Sequence, residues 1–84
     1  MYNKRTWLNP ETSPSLGSVV AFDDMELYKG ELYGEMFLAI SDCKNFVKLH
    51  KGDKDKVKDF VNKMTLLRDE ISLFIEHLKT VKDE

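Results

Sequence analysis

The sequence predicts an α+β fold, in which a small, mostly antiparallel sheet of three or four strands over residues 5–50 precedes one long C-terminal helix over residues 54–82. All four glycines and both prolines lie in the first 52 residues, which also contain the short β-branched and aromatic runs typical of strands. The last 32 residues contain no Gly or Pro, and their apolar residues recur at helical spacing. We therefore expect sheet first and helix second.

The first two predicted strands are joined by a segment rich in turn formers. Residues 5–8 (RTWL) form a short candidate strand, and residues 18–22 (SVVAF) are β-branched and aromatic. Residues 9–17 (NPETSPSLG) lie between them, where two prolines fix φ and the serines can bond nearby backbone. This segment is predicted to be a loop.

The next segment, Asp23–Glu35, is an acidic connection with Gly30 and Gly34 as its expected turn positions. Residues 35–41 and 45–50 are extended runs separated by a few polar residues, which indicates a β-hairpin.

The strand within this hairpin is apolar on both of its faces. Alternation places one group on each side: Met36, Leu38 and Ile40 against Phe37 and Ala39. A sheet buried on both faces needs two covers, whereas the chain offers one helix.

The helix is predicted from an uninterrupted heptad series, with Asp53 as the expected N-cap. The apolar positions are spaced alternately three and four apart: Val57, Phe60, Met64, Leu67, Ile71, Phe74, Leu78 and Val81. A stripe that packs on a sheet and a coiled-coil-like seam both fit this spacing. A helix of this length would extend about 43 Å, although a compact chain of this size should be only about 30 Å across.

Self-association is the expected way to cover the surplus apolar surface. Leu66 and Leu73 lie seven residues apart and away from the main stripe, so the middle of the helix is apolar on two sides. We predict a homodimer or a higher oligomer with Leu66, Leu73, Phe74 and Met64 in its interface.

Composition excludes several classes of function. The chain has 84 residues, enough for a single domain (1–84), and a net charge of −2, which makes it a poor candidate for binding duplex nucleic acid. Its longest apolar run is far below the roughly 20 residues that cross a bilayer, and no secretory signal pattern is present, so we expect a cytoplasmic protein without membrane association.

Catalysis is not predicted, because no nucleophile or phosphate-loop pattern accompanies the two histidines. The single cysteine, Cys43, cannot form an internal disulfide, and the supply of metal ligands is thin. We expect no enzyme, no cofactor and no metal site.

Charge is distributed unevenly along the chain. Residues 23–43 contain six acidic residues and one lysine, whereas residues 44–63 contain seven lysines and three aspartates. The lysine run is either a solvated helix face or a cluster where the hairpin ends and the helix begins, which could hold a phosphate or an acidic protein surface. The cluster would consist of Lys48, Lys51, Lys54, Lys56 and Lys58.

The N-terminal segment contains several side chains of the types that bind flat polar ligands. A planar ring, a guanidinium and short polar groups can stack on and hydrogen-bond a nucleotide base. The candidate ligand-binding residues are Arg5, Trp7, Asn9 and Ser18, with Lys48 and Lys51 for phosphate. The alternative is that Trp7 closes the end of a small core and the Ser-Pro-rich run is only a loop.

The strings RTWLNPETSPSLGSVVAF, FLAISDCKNFVKLH and FVNKMTLLRDEISLFIEHL resemble small uncharacterised proteins of phages and prophages over most of the chain. The resemblance implies an accessory factor in the host cytosol that blunts a host defence. Such a factor would either occupy the surface of a host protein or sequester a nucleotide signal. No functional residue is carried over by the resemblance.

Overall fold

The computed structural model describes residues 1–9, 12 and 16–82, which include six strands and one helix. The elements are β1 (Tyr2–Trp7), β2 (Gly17–Asp23), β3 (Glu26–Tyr28), β4 (Glu31–Tyr33), β5 (Met36–Asp42), β6 (Asn45–His50) and α1 (Val57–Leu78). The predicted α+β class is confirmed. The residues that carry the turn prediction, Pro10, Ser13, Pro14 and Ser15, lie outside the described residues.

The chain divides into two compact units, Met1–Lys51 and Gly52–Glu84. The boundary lies one residue before the change of composition, because Gly52 opens the second unit and neither glycine nor proline follows it. That the whole chain is one domain stays a prediction.

The main sheet has the strand order β1-β2-β5-β6, and all three pairs are antiparallel. β1 starts three residues earlier than predicted, because its whole length pairs with β2 from Tyr2 opposite Asp23 to Trp7 opposite Ser18. The backbone N–H of Leu8 donates to the carbonyl of Gly17 at 2.8 Å and extends the pairing by one step.

The predicted hairpin of β5 and β6 is confirmed, with Asp42 opposite Asn45 and a two-residue turn between them. Cys43 occupies the left-handed region of this turn at φ 54°, which is uncommon for a residue other than glycine. Its side chain is exposed.

The acidic connection contains a second hairpin, whose two strands were not predicted. β3 and β4 form a separate two-stranded sheet in which Glu26 lies opposite Tyr33. Lys29 and Gly30 have positive φ values of 52° and 79°, the combination that a tight two-residue hairpin turn requires. Gly30 and Gly34 are turn positions, as expected.

One face of the main sheet is mostly aliphatic, because directly paired residues of antiparallel strands project to the same side. Its inner rows consist of Val19, Ala21, Leu38, Ile40, Val47 and Leu49. The opposite face includes Ala39, which is 5% exposed and is the one buried apolar residue among the described strands. No large side chain of the described residues is fully buried, so the apolar core is thin.

The helix is shorter than predicted at both ends, with 22 residues and a length of about 33 Å. It begins after Lys56, whose backbone N–H donates to the Asp59 carboxylate at 2.8 Å, so Asp53 is not the N-cap. At the other end, the N–H of Thr80 and that of Val81 donate to carbonyls three residues back. This tighter winding closes the last turn.

Burial along the heptad series declines toward the C-terminus. Phe60 is 8% exposed and is the buried residue of α1. Met64 and Leu67 are half-buried, whereas Ile71 and Phe74 are exposed. The second half of the stripe is therefore open to solvent in a single copy of the chain.

Candidate binding surfaces

Three surfaces hold the residues singled out by the sequence: one face of the main sheet, the β3–β4 hairpin, and the exposed side of α1. We define the aromatic face as the side of the main sheet opposite the aliphatic one. Its members on the four strands are Asn3, Arg5, Trp7, Ser18, Val20, Phe22, Phe37, Ala39, Ser41, Phe46, Lys48 and His50.

Direct contacts between side chains confirm which residues share the aromatic face. Phe22 and Phe37 stack with their ring centroids 4.9 Å apart and their planes 14° from parallel. The hydroxyls of Ser18 and Ser41 lie 2.9 Å apart and are hydrogen-bonded. These two pairs hold the central strands together on this side.

Both cations of the aromatic face lie over rings. The Arg5 guanidinium is 5.5 Å from the centroid of the Trp7 ring, and the Lys48 ammonium is 4.1 Å from that of Phe37. Such cation–π pairs are attractive and hold a long side chain in place. Asp23 and Asp42 alternate to the aliphatic side, so the strands put no carboxylate on the aromatic face.

Four of the six predicted ligand residues, Arg5, Trp7, Ser18 and Lys48, lie on this face. Arg5 and Lys48 share one row across the sheet, because Arg5 pairs with Val20 and Lys48 pairs with Ala39. Ser18 differs in role, since it is 5% exposed and its hydroxyl is bonded to Ser41. Ser18 is therefore a buried structural residue of the aromatic face, whereas Arg5, Trp7 and Lys48 are exposed on that face.

The other two predicted ligand residues, Asn9 and Lys51, lie outside the strands. The side-chain oxygen of Asn9 is buried and accepts no hydrogen bond from the described residues. A side chain at Gly17 would put its Cβ 2.9 Å from that oxygen, so glycine leaves the room that Asn9 occupies. Lys51 donates its backbone N–H to the carbonyl of Met36 at 2.9 Å.

Sequence reasoning missed Phe46 as a member of this face. Phe46 is 68% exposed and lies in the same row as Trp7, which is 61% exposed. The available signal was strand alternation, since Phe46 and Lys48 are two residues apart and share a face.

The β3–β4 hairpin has one aromatic and acidic face. Tyr28 and Tyr33 meet edge to face with centroids 6.2 Å apart, and the Tyr33 hydroxyl donates to the Glu31 carboxylate at 3.0 Å. Glu26 lies opposite Tyr33 and completes this side, while Leu27 and Leu32 pair on the other. An open hollow of about 580 Å³ adjoins it, lined by Asp24, Glu26, Tyr28, Tyr33 and Gly34.

The base of the hairpin is fastened by acidic side chains. Asp24 accepts the backbone N–H of Glu35 at 2.6 Å through its carboxylate and donates its own N–H to the Glu35 carbonyl at 3.1 Å. The Asp23 carboxylate accepts the N–H of Met25 at 2.9 Å. Two carboxylates of this acidic segment therefore stabilise the base of the hairpin by accepting backbone hydrogen bonds.

The predicted interface residues of α1 are mostly exposed. Leu66 is 71% exposed, Leu73 67% and Phe74 58%, whereas Met64 is half-buried. A shallow hollow on the helix lies between Leu73 and the exposed part of the heptad stripe. It is lined by Glu70, Ile71, Leu73, Phe74 and His77. Contiguous exposed apolar surface of this kind usually marks a site of association.

The lysines of the predicted cluster are divided between the two units. Lys48 and Lys51 belong to the first unit, and Lys54, Lys56 and Lys58 belong to the second. Lys56 is the N-cap residue of α1, and its backbone N–H donates to the Asp59 carboxylate. The start of the helix is therefore capped by groups of its own first turn.

Within the described ranges, no group of three or more His, Cys, Asp or Glu residues could hold a metal ion. His50 makes a long contact of 3.4 Å from its Nδ1 atom to the Lys51 carbonyl. No helix in the part of the chain that the structure covers has the length and apolar character to span a bilayer.

Comparison with known proteins adds no family to this description. No protein-family model, no curated protein and no solved structure matches the chain.

Proposed function

We propose that the chain is a non-enzymatic binding protein that associates with itself through α1 and occupies the surface of a partner protein. The exposed apolar side of the helix carries the proposal, because Leu66, Leu73 and Phe74 are each more than half exposed in one copy. Covering such side chains is favourable by about 25 cal/mol per Å² of apolar surface. The occupant of this side is a second copy of the same helix.

The pattern of α1 supports this occupant. The heptad positions Ile71, Phe74 and Leu78 are exposed, and they continue a series in which Phe60 is buried and Met64 and Leu67 are half-buried. Ile71 and Phe74 line the same hollow as Leu73, so a symmetric pair of such helices buries the exposed half of the stripe together with the neighbouring side that Leu66 and Leu73 occupy, on both chains, as an isologous dimer requires.

Self-association should be visible in sedimentation equilibrium at micromolar concentration, with a dimer as the expected species. Leu66→Glu combined with Leu73→Glu should dissociate it, because a dimer would bury these carboxylates without partners. Ser72→Glu adds a carboxylate to an exposed position of the same helix and should leave the dimer intact. A 9.8 kDa monomer at every concentration would refute the proposal of self-association.

The β3–β4 hairpin is the proposed contact with the partner protein. Tyrosines and carboxylates alternate on its acidic face, which matches a partner surface that carries Lys or Arg beside an apolar area. The hairpin consists of two exposed strands of three residues each, so its contact with the partner protein would be small. We propose a host protein as the partner, as the resemblance to phage proteins implies.

A pull-down from host lysate tests this contact. Glu26→Lys combined with Glu31→Lys should abolish recovery of the partner at both low and high salt, because it places like charges opposite the basic surface. Asp53→Lys combined with Asp69→Lys makes the same change in charge outside the hairpin and should retain recovery. Equal recovery by both double variants would contradict the role of the hairpin.

The second candidate function is the sequestration of a small nucleotide-like ligand. The observation that favours it is the presence of Arg5, Trp7 and Lys48 on one face, exposed and without a competing carboxylate in the strands. Trp7 offers a ring for stacking, while Arg5 and Lys48 offer charge for phosphate.

A further inference from the structure

We propose that the aromatic face binds a single-stranded nucleic acid of two or more nucleotides, with one base on Trp7 and another on Phe46. The inference rests on the ligand-binding candidate above and names the class of ligand. Bases stack readily on exposed aromatic side chains, and every base offers a flat face for such stacking.

The separation of the two rings sets the minimum length of the ligand. Trp7, Ser18, Ser41 and Phe46 form one row across the sheet, with the aromatic residues on the two outer strands. Three strand spacings of about 4.8 Å place their backbones roughly 14 Å apart. One base cannot stack on both rings, whereas two bases of one strand can.

Small side chains form the middle of this row. Ser18 and Ser41 are small, and their hydroxyls bond to each other at 2.9 Å. Ala39 lies in the adjacent row and is also small. The two outer rings are therefore separated by small side chains, of which Ser18 and Ala39 are each only 5% exposed.

The adjacent row supplies two cations, with the Arg5 guanidinium over the Trp7 ring and the Lys48 ammonium over the Phe37 ring. Arg5 lies on the same strand as Trp7, two residues before it, and Lys48 lies on the same strand as Phe46, two residues after it. His50 and Asn3 add polar groups one row further. Phosphates that link stacked bases would meet these two cations, and the described strands place no carboxylate on this face.

An unpaired strand fits these features better than a duplex. Bases in a duplex are stacked on one another, so aromatic side chains reach them only after unpairing. Four-stranded antiparallel sheets with exposed aromatics are known to stack two or three unpaired bases.

The test uses the intrinsic fluorescence of Trp7, the one tryptophan of the chain, which a stacked base quenches. The full-length protein is titrated at low salt with uridine monophosphate, a uridine dinucleotide, a hexauridylate, its deoxy analogue and a duplex. The hexanucleotides are expected to bind at least about tenfold more tightly than the mononucleotide, since each stacked base contributes on the order of a tenfold gain. The duplex should not quench.

Phe46→Ala should weaken hexanucleotide binding by about tenfold and leave mononucleotide binding on Trp7 unchanged. Val47→Ala is the matched control, because Val47 is half exposed on the same strand but projects from the aliphatic face. Lys48→Gln should reduce the dependence of hexanucleotide binding on salt. Anisotropy of a labelled hexanucleotide with the unsubstituted protein reports the same binding without relying on quenching, and Trp7→Ala should weaken that binding.

The outcomes separate the inference from the candidate function on which it rests. Equal binding of mononucleotide and hexanucleotide, unaffected by Phe46→Ala, would overturn the inference and keep the small-ligand candidate. Neither quenching nor a change of anisotropy with any of the ligands would overturn both. Unchanged circular dichroism of Phe46→Ala excludes unfolding as the cause of weaker binding.

Discussion

Phe60→Ala is expected to lower the free energy of unfolding by about 3 kcal/mol, because truncating a buried phenylalanine loses its transfer energy and leaves a cavity. Phe60 is 8% exposed, and no other described residue of α1 is buried. The ordering of a 22-residue helix therefore relies heavily on this side chain. Urea unfolding followed by circular dichroism should give a lower midpoint with little change of slope.

Phe74→Ala is the matched control, since it makes the same chemical change on the same helix at a position that is 58% exposed. At a concentration where the chain is monomeric, it should cost less than about 0.5 kcal/mol. At higher concentration its effect should grow, because the proposed dimer covers it. Equal losses for the two variants in the monomer would contradict the burial of Phe60.

Gly34→Ala should disrupt the β3–β4 hairpin, with an expected cost of about 3 kcal/mol for its local opening. Gly34 has φ 121°, which side chains rarely adopt, and a Cβ there would lie 2.6 Å from the Asp24 carboxylate and 2.8 Å from its carbonyl. The same carboxylate holds the N–H of Glu35, so relief of the clash breaks the base of the hairpin. Faster amide hydrogen exchange across residues 26–33 would report the opening.

Gly30→Ala separates the effect of positive φ from that of the clash. Gly30 has φ 79°, but a Cβ there would meet nothing within 4 Å. Only the left-handed conformation is then strained, at a cost of about 1 kcal/mol. Exchange over the hairpin should be affected less than by Gly34→Ala, and the reverse order would contradict the close approach of Asp24.

The main sheet could be predicted from the sequence because its strands carry strong local signals. The run from Ser18 to Phe22 is β-branched and aromatic, and the pair of strands around Cys43 has the pattern of a hairpin. Pairing then determined which side chains share a face, and no local property of Trp7 could reveal that it lies in a row with Phe46.

The β3–β4 hairpin was missed because its strands are three residues long and its segment reads as an acidic loop. A usable signal was present: the tripeptide Glu-Leu-Tyr occurs on both sides of Lys29-Gly30. Two identical short runs around a residue pair that ends in glycine are typical of a tight hairpin.

The start of the helix was misplaced because Asp53 has the residue type of an N-cap. Asp59 instead accepts the backbone N–H of Lys56 from inside the first turn, which moves the start three residues along the chain. For the ligand set, Asn9 was misplaced because the chain leaves β1 after Trp7, and Lys51 because it follows the last residue of β6.

The strand order also governs whether copies of the chain can polymerise through their sheets. β1 and β6 are outer strands, and an outer strand presents backbone groups that another molecule could pair with. Lys4 and Arg5 on one border and Lys48 on the other would bring cations together in any lateral addition. These charges on the outer strands disfavour ribbon-like growth through the sheets.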